Sequence, residues 1–423
     1  MKKITLFFLL LFICTQSFAA FDDWFENKTL RIDYYHSGNE NSESYALGAL
    51  KCEPFWGGSH TFLIDNTNYG NYYFKVFDVA TNTLIYSRGY STLFLEWQFT
   101  EEAKNTRRTM EESIVMPFPK KEVKVIWYSR DKKGEFVPQF EYVVKPSDIF
   151  IHKEKPTVFP VYDAFISGDA AKKIDIVILP EGYTASEMEK FKDDCKKFAA
   201  NMFEFEPYKS NKDKFNIRGV LAPSKESGTD IPGENIWKNT LLNTSFYTFN
   251  SERYLMTTNY FAVRDVAANA PYDQIFILIN TQKYGGGAIY NFYNTAINGN
   301  LSAAKVLIHE FGHGFAALAD EYDDGSTSYN DLYPKGVEPW EPNITSLADF
   351  KSKWENMLPK GTPIPTPVDA SKPLKLGVYE GAGYVTKGLY RPTPDCLMRT
   401  LKGNAFCPVC TRAIQQMIDL YTK

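Results

Sequence analysis

Residues 309–313 read His-Glu-Phe-Gly-His, and the rest of the chain is read outward from them. On a helix, positions four apart stack on one face. His309 and His313 therefore aim two imidazoles at one point, where a Zn²⁺ ion is expected to sit. Glu310, beside the first imidazole, is placed to take a proton from a water that the metal activates. This H-E-x-x-H spacing on a helix is a pattern of metal-assisted hydrolysis, with the Glu as general base. The preceding text, Leu301-Ser-Ala-Ala-Lys-Val-Leu-Ile308, predicts the helix through an apolar stripe at Leu301, Ala304, Leu307 and Ile308. Asn300 or Ser302 is suited to cap it. Two of only five histidines fall in this run, so an incidental surface helix is the weaker reading.

A hydrolytic zinc takes three protein ligands and keeps one position open. The remaining histidines, His36, His60 and His152, lie in a β-rich stretch or a linker and read as surface or turn residues. The third ligand is therefore expected to be a carboxylate, and Asp320 and Glu321 are the candidates. A straight helix would carry Asp320 roughly 10 Å past His313, at about 1.5 Å per residue. The helix must end soon after His313 and the chain fold back. Ala316 or Ala317 falls at that bend, where Gly is more usual.

The 423 residues suit two or three domains. Apolar content of 44% and charged content of 23% are those of a globular chain. A net charge of −4 without a basic tract argues against nucleic-acid binding. Residues 1–19 read as a secretory signal: Lys2 and Lys3, an apolar core from Ile4 to Cys14, then Ser17-Phe18-Ala19, with cleavage expected after Ala19. A lipoprotein reading of Cys14 meets Ile13 where a small residue is required. No later stretch is long and apolar enough to span a bilayer. The expected product is exported, whether periplasmic, secreted or cell-surface, and monomeric. Of its cysteines, Cys396 is expected to bridge Cys407 or Cys410, and Cys195 to be a buried thiol. A sulfur zinc site needs four ligands, and only three thiols lie near one another in this text, so Cys407-Pro-Val-Cys410 reads as structural.

Residues 20–155 read as an all-β sandwich. Its strand candidates are Thr29–Tyr35, Thr61–Ile64, Tyr72–Val79, Thr83–Arg88, Leu93–Phe99, Glu122–Ser129 and Glu141–Lys145. Phe150–Pro160 reads as a linker, with Pro156 and Pro160 bounding it. From residue 156 onward the text changes to α/β. Ile174–Leu179, Phe215–Leu221 and Gln274–Asn280 are strands, Ala185–Phe205 is an amphipathic helix, and a last helix spans Pro408–Tyr421. Gly285-Gly-Gly287 precedes Ala288–Tyr293. Either this is an edge strand whose glycines let a substrate backbone approach at Gly285, Gly286, Gly287 and Ala288, or it is a flexible surface loop.

His309–His313 followed by Leu318-Ala-Asp-Glu-Tyr322 resembles the IgA-peptidase-like metallopeptidases, the igalysin branch of the metzincins. Ile176-Val-Ile-Leu-Pro-Glu-Gly-Tyr183 and the segment from Asp395-Cys-Leu-Met398 to Cys410 share the resemblance, which spans residues 170–423. It implies an N-terminal β-sandwich joined to a metzincin-like zinc peptidase domain. Metzincins usually place the third ligand six residues after the second His. Here that position is Ala319, and the resemblance implies that Asp320, one residue on, takes the role, with Glu321 as alternative. It also implies a Met-containing turn beneath one catalytic Zn²⁺, for which Met398 is the candidate.

The function expected is an exported zinc-dependent endopeptidase acting on a protein or peptide substrate. Two other classes fit the same text: a glycan- or protein-binding surface protein, and a zinc amidase acting on a non-protein amide. A shared zinc site does not transmit a substrate.

Overall fold

The computed structural model describes residues 21–153, 157–297, 299, 302–325 and 332–423. The leader with Cys14 and Ala19, Pro156 of the linker, and Asn300 and Leu301 lie outside the described residues. Among the described residues no helix is long and apolar enough to cross a membrane.

The N-terminal region runs α1 (Phe21–Trp24), β1 (Phe25–Asn39), β2 (Ser42–Glu53), β3 (Tyr72–Asp78), β4 (Leu84–Tyr90), α2 (Leu93–Gln98), β5 (Arg108–Pro119), β6 (Val123–Arg130) and β7 (Phe136–Val144). Two antiparallel sheets form, in the orders β2-β1-β5 and β4-β3-β6-β7. Side chains alternate across a strand, so β6 buries Val123, Val125 and Trp127 and turns the residues between them outward. These meet Leu30, Ile32 and Tyr34 of β1 in one core.

Three expectations need correction. Leu93–Phe99 is not a strand: Leu93, Phe94 and Trp97 are buried at helical spacing, and 93–98 is a helix. A short aromatic run satisfies both periods. Thr61–Ile64 is irregular. β2 and β5 went unread, because polar and charged residues fill much of both, as in Ser42-Glu-Ser44 and Glu111-Glu-Ser113.

The C-terminal region runs β8 (Val161–Phe165), β9 (Ile174–Glu181), α3 (Met188–Met202), β10 (Phe215–Val220), α4 (Tyr260–Ala267), β11 (Gln274–Ile279), β12 (Gly286–Ile289), β13 (Tyr293–Ile297), α5 (Ala303–Ala316), β14 (Tyr379–Ala382), β15 (Val385–Arg391) and α6 (Pro408–Tyr421). A mixed sheet has the order β12-β13-β11-β9-β10-β8. Its four inner strands are parallel, and both edge strands are antiparallel. Every residue of β9 and β11 is buried, as expected of strands covered on both faces. Ile174, Ile176 and Ile178 face a core shared with α3, α5 and α6. Val177 and Leu179 face the opposite core with α4. Leu93, Phe94 and Trp97 of α2 belong to that second core, so the N-terminal region completes the packing of the mixed sheet.

Charge joins the regions as well. Arg31 of β1 is fully buried. It binds Asp33 in its own strand at 2.5 Å and reaches Asp265 of α4 at 2.7 Å. Lys51 reaches the same Asp265 oxygen at 2.8 Å.

His36 overturns its expected surface placement, because it is fully buried. Its ring stacks on Phe94 and Tyr45 with centroids 3.8 and 4.2 Å away. Nδ1 lies 3.2 Å from Glu112 and Nε2 lies 3.1 Å from Glu43. Burial opposes a charge here, but Glu112 and Glu43 outweigh it and raise the imidazole above its ordinary value. A raised folded pKa stabilises below the unfolded value, near pH 6.5, and that contribution is lost as pH rises through the folded value. His36→Ala should cost about 3–5 kcal/mol at pH 6. The stability gap between wild type and variant, followed by denaturant unfolding, should narrow as pH rises. A gap independent of pH would exclude an imidazolium at this position.

Candidate active site and metal centre

The site starts from the way α5 is held and the way it stops. Leu307, Ile308, Phe311 and Phe315 anchor the helix in the core. That leaves His309, Glu310 and His313 on a partly open face. The helix ends at Ala317, which adopts the left-handed conformation at φ 59°. Its N–H donates to the His313 carbonyl and the Leu318 N–H donates to the Gly312 carbonyl, both at 3.1 Å. The chain then reverses. Asn343 holds the returning segment at both backbone groups of Ala319, accepting from its N–H at 2.7 Å and donating to its carbonyl at 2.9 Å.

This reversal brings Asp320 back to the histidines. Its Oδ1 stands 3.1 Å from His309 Nε2 and 3.4 Å from His313 Nε2, and the two Nε2 atoms are 3.1 Å apart. His309 Nδ1 faces the Leu397 carbonyl at 2.9 Å, and His313 Nδ1 faces the Leu318 carbonyl at 2.5 Å. A carbonyl only accepts, so each Nδ1 carries the hydrogen, and a cation that displaces the Nε2 proton would meet a lone pair of each ring. Three candidate ligand atoms thus converge on one point. Asp320 is buried, and its Oδ1 faces the two imidazoles. Ligand atoms about 2.0–2.1 Å from a tetrahedral zinc stand about 3.3 Å apart, so the triangle fits that ion.

The electrostatics agree. Burial opposes charge on Asp320, yet His313 and His309 hold its carboxyl well below the usual carboxylate range. Burial depresses His313, but Asp320 overrides it and lifts the imidazole to about 9. Burial likewise opposes His309, and Asp320 again raises it. A cluster that attracts protons this strongly also attracts a cation. Burial pushes the Glu310 carboxyl up, which makes it a stronger proton acceptor than a free carboxylate.

Tyr384 was not selected from the sequence. Its hydroxyl donates to Asp320 Oδ2 at 2.6 Å and leaves Oδ1 to face the imidazoles. Tyr390, in the same hairpin, pairs through its backbone with Thr345. Met398 is fully buried. Its Sδ would lie 2.8 Å from a Cβ placed on Gly312, between the two histidines in the helix. Only a glycine lets the helix settle that closely on the sulfur. Glu321, the other carboxylate considered, does not join the triangle. Its N–H donates to the Met398 carbonyl at 2.8 Å, and its Oε1 contacts Asn343 at 3.0 Å and Cys410 at 3.2 Å.

Gly285-Gly-Gly287 leads into β12 and is packed in place. A Cβ on Gly285 would strike the Phe246 ring and one on Gly287 the Met256 sulfur, each at 2.4 Å, while one on Gly286 would come 3.2 Å from Glu310 Oε1. The outer edge of β12 is partly taken, because Gly286 N–H donates to Arg253 and its carbonyl accepts from Leu255. Ala288, two residues on, turns its backbone to the same side. The site opens into a cleft of about 970 Å³, whose walls include Ser91 and Glu96 from the N-terminal region and Tyr284, Ala288, Trp340 and Tyr384 from the C-terminal one.

The family model described as IgA Peptidase M64 matches residues 164–372 and 368–418. The model described as Peptidase M64 N-terminus matches residues 20–141. No curated protein matches the chain at a significant level. With more than half of its length matched, on the region that carries α5 and its reversal, the chain belongs to the IgA peptidase M64 family and is a peptidase.

Proposed function

We propose that this peptidase is an exported, zinc-dependent endopeptidase in which His309, His313 and Asp320 hold one Zn²⁺ and Glu310 is the general base. The observation that carries the proposal is the triangle that buried Asp320 Oδ1 forms with His309 Nε2 and His313 Nε2, each side 3.1–3.4 Å long. In this reading the C-terminal region is metzincin-like, the N-terminal sheets form a sandwich, and the domains divide near residue 155. Met398 is the methionine of the turn beneath the metal.

When bound, Zn²⁺ supplies Lewis-acid activation of water and of the scissile carbonyl. The chain's own residues do the rest. Leu397 and Leu318 fix the tautomer and tilt of the two imidazoles through their carbonyls. Glu310 takes the proton of the attacking water and passes it to the leaving amine. An extended substrate pairs with the open backbone of β12 at Ala288, in a cleft walled by both regions.

Glu310→Gln should keep its zinc and lose turnover by about 10²–10⁴-fold. Hydrolysis of a casein or peptide-library substrate at the wild-type rate would rule out this base. Tyr384→Phe frees Asp320 to rotate, and zinc affinity measured by chelator competition should weaken by about 10–100-fold. Unchanged affinity would mean that the hydroxyl does not position the ligand. Gly286→Ala places a methyl against the Glu310 carboxylate, so kcat should fall by about tenfold with zinc content intact. A full rate in that variant would show that the base has room to move.

A further inference from the structure

Directly behind the Asp320 segment lies a second group of ligand atoms. Glu321, Cys396, Cys407 and Cys410 bring one donor atom each within 4.8 Å of one another, and all four residues are buried. The expected disulfide does not form: the three cysteines are free thiols, with Cys396 and Cys410 Sγ 3.8 Å apart. The missing fourth ligand of the sequence reading is a carboxylate 89 positions before Cys410.

We propose that these four residues bind a second, structural Zn²⁺. At about 2.3 Å from a tetrahedral zinc, two sulfurs stand about 3.8 Å apart, and the Cys396–Cys410 separation is 3.8 Å. Glu321 Oε1 lies 3.2 Å from Cys410 Sγ, near the roughly 3.5 Å that follows for one sulfur and one oxygen around the same ion. The backbone is arranged for thiolates. Cys407 caps α6 and its sulfur accepts the Cys410 N–H at 3.4 Å, while Cys396 Sγ accepts the Cys407 N–H at 3.2 Å. Sulfur at a helix N-terminus favours the ionised form that metals bind. Glu321 Oε2 is buried with no hydrogen-bond partner among the described residues, and a cation supplies that carboxylate with a counter-charge. Three thiolates and one oxygen select zinc over the hard cations. Four protein donors also leave no open position, which is the arrangement of a structural site. A disulfide would engage only two of the three sulfurs and leave Glu321 facing the third.

The site would tie together three pieces of the catalytic centre. Glu321 follows Asp320, Cys396 stands two residues before Met398, and Cys407 and Cys410 begin α6. It is independent of the catalytic ion, so the two are separable by experiment. Elemental analysis of metal-replete wild type should find two zinc ions per chain, and the folded His309→Ala/His313→Ala variant should keep one. Cobalt loaded into that double variant should give an intense thiolate-to-metal charge-transfer band in the near ultraviolet. The same band should be lost in Cys407→Ser/Cys410→Ser. In wild type the three thiols should resist alkylation until a chelator is added. A double variant with no metal and no such band overturns the proposal. So does a non-reduced mass showing Cys396 joined to Cys407 or Cys410.

Discussion

The site depends on one backbone reversal. If α5 continued past Ala317, the side chain of Asp320 would be carried away from the histidines. Instead Ala317 sits in the left-handed region, at a cost of roughly 1–2 kcal/mol for a residue with a Cβ. The surrounding structure over-determines that conformation. The Ala317 and Leu318 N–H groups close the helix end, Asn343 grips Ala319 on both sides, and the Leu318 carbonyl engages His313. Strain of this kind persists where packing enforces it, often at functional sites. Here it sets the distance between a carboxylate and two imidazoles.

The segment 396–399 packs against both that reversal and the helix. The Leu397 carbonyl orients His309, the Met398 side chain packs against Gly312, and the Met398 carbonyl accepts the Glu321 N–H. A single short stretch therefore touches both the helix and the returning segment. The N-terminal region supports the same frame from the far face, with α2 filling the core beneath β9 and β11 and Arg31 bound to α4. Substrate would meet both regions at once, because residues of each line the cleft.

Much of this was legible in the sequence where one signal dominates. β9, β11 and α6 are continuous apolar or strongly periodic runs, and α6 has the predicted bounds. His309, Glu310 and His313 declare themselves because a helix converts their spacing directly into proximity. The geometry around Asp320 was less legible, since nothing in Ala316-Ala-Leu-Ala319 announces a turn that usually needs Gly. Tyr384, Asn343 and the Leu397 carbonyl act across long sequence separations, and no local pattern marks them. His36 was misread for the same reason: the carboxylates that make its burial tolerable come from β2 and β5. Glu321 and the three cysteines are far apart in the text and adjacent only once the reversal and the 396–410 loop have formed.

Anomalous diffraction at the zinc edge from crystals of the wild-type protein tests the central claim most directly. The account predicts a peak about 2.0–2.2 Å from His309 Nε2, His313 Nε2 and Asp320 Oδ1. A zinc-replete crystal with no peak inside that triangle, or with the ion held by a carboxylate other than Asp320, would contradict it.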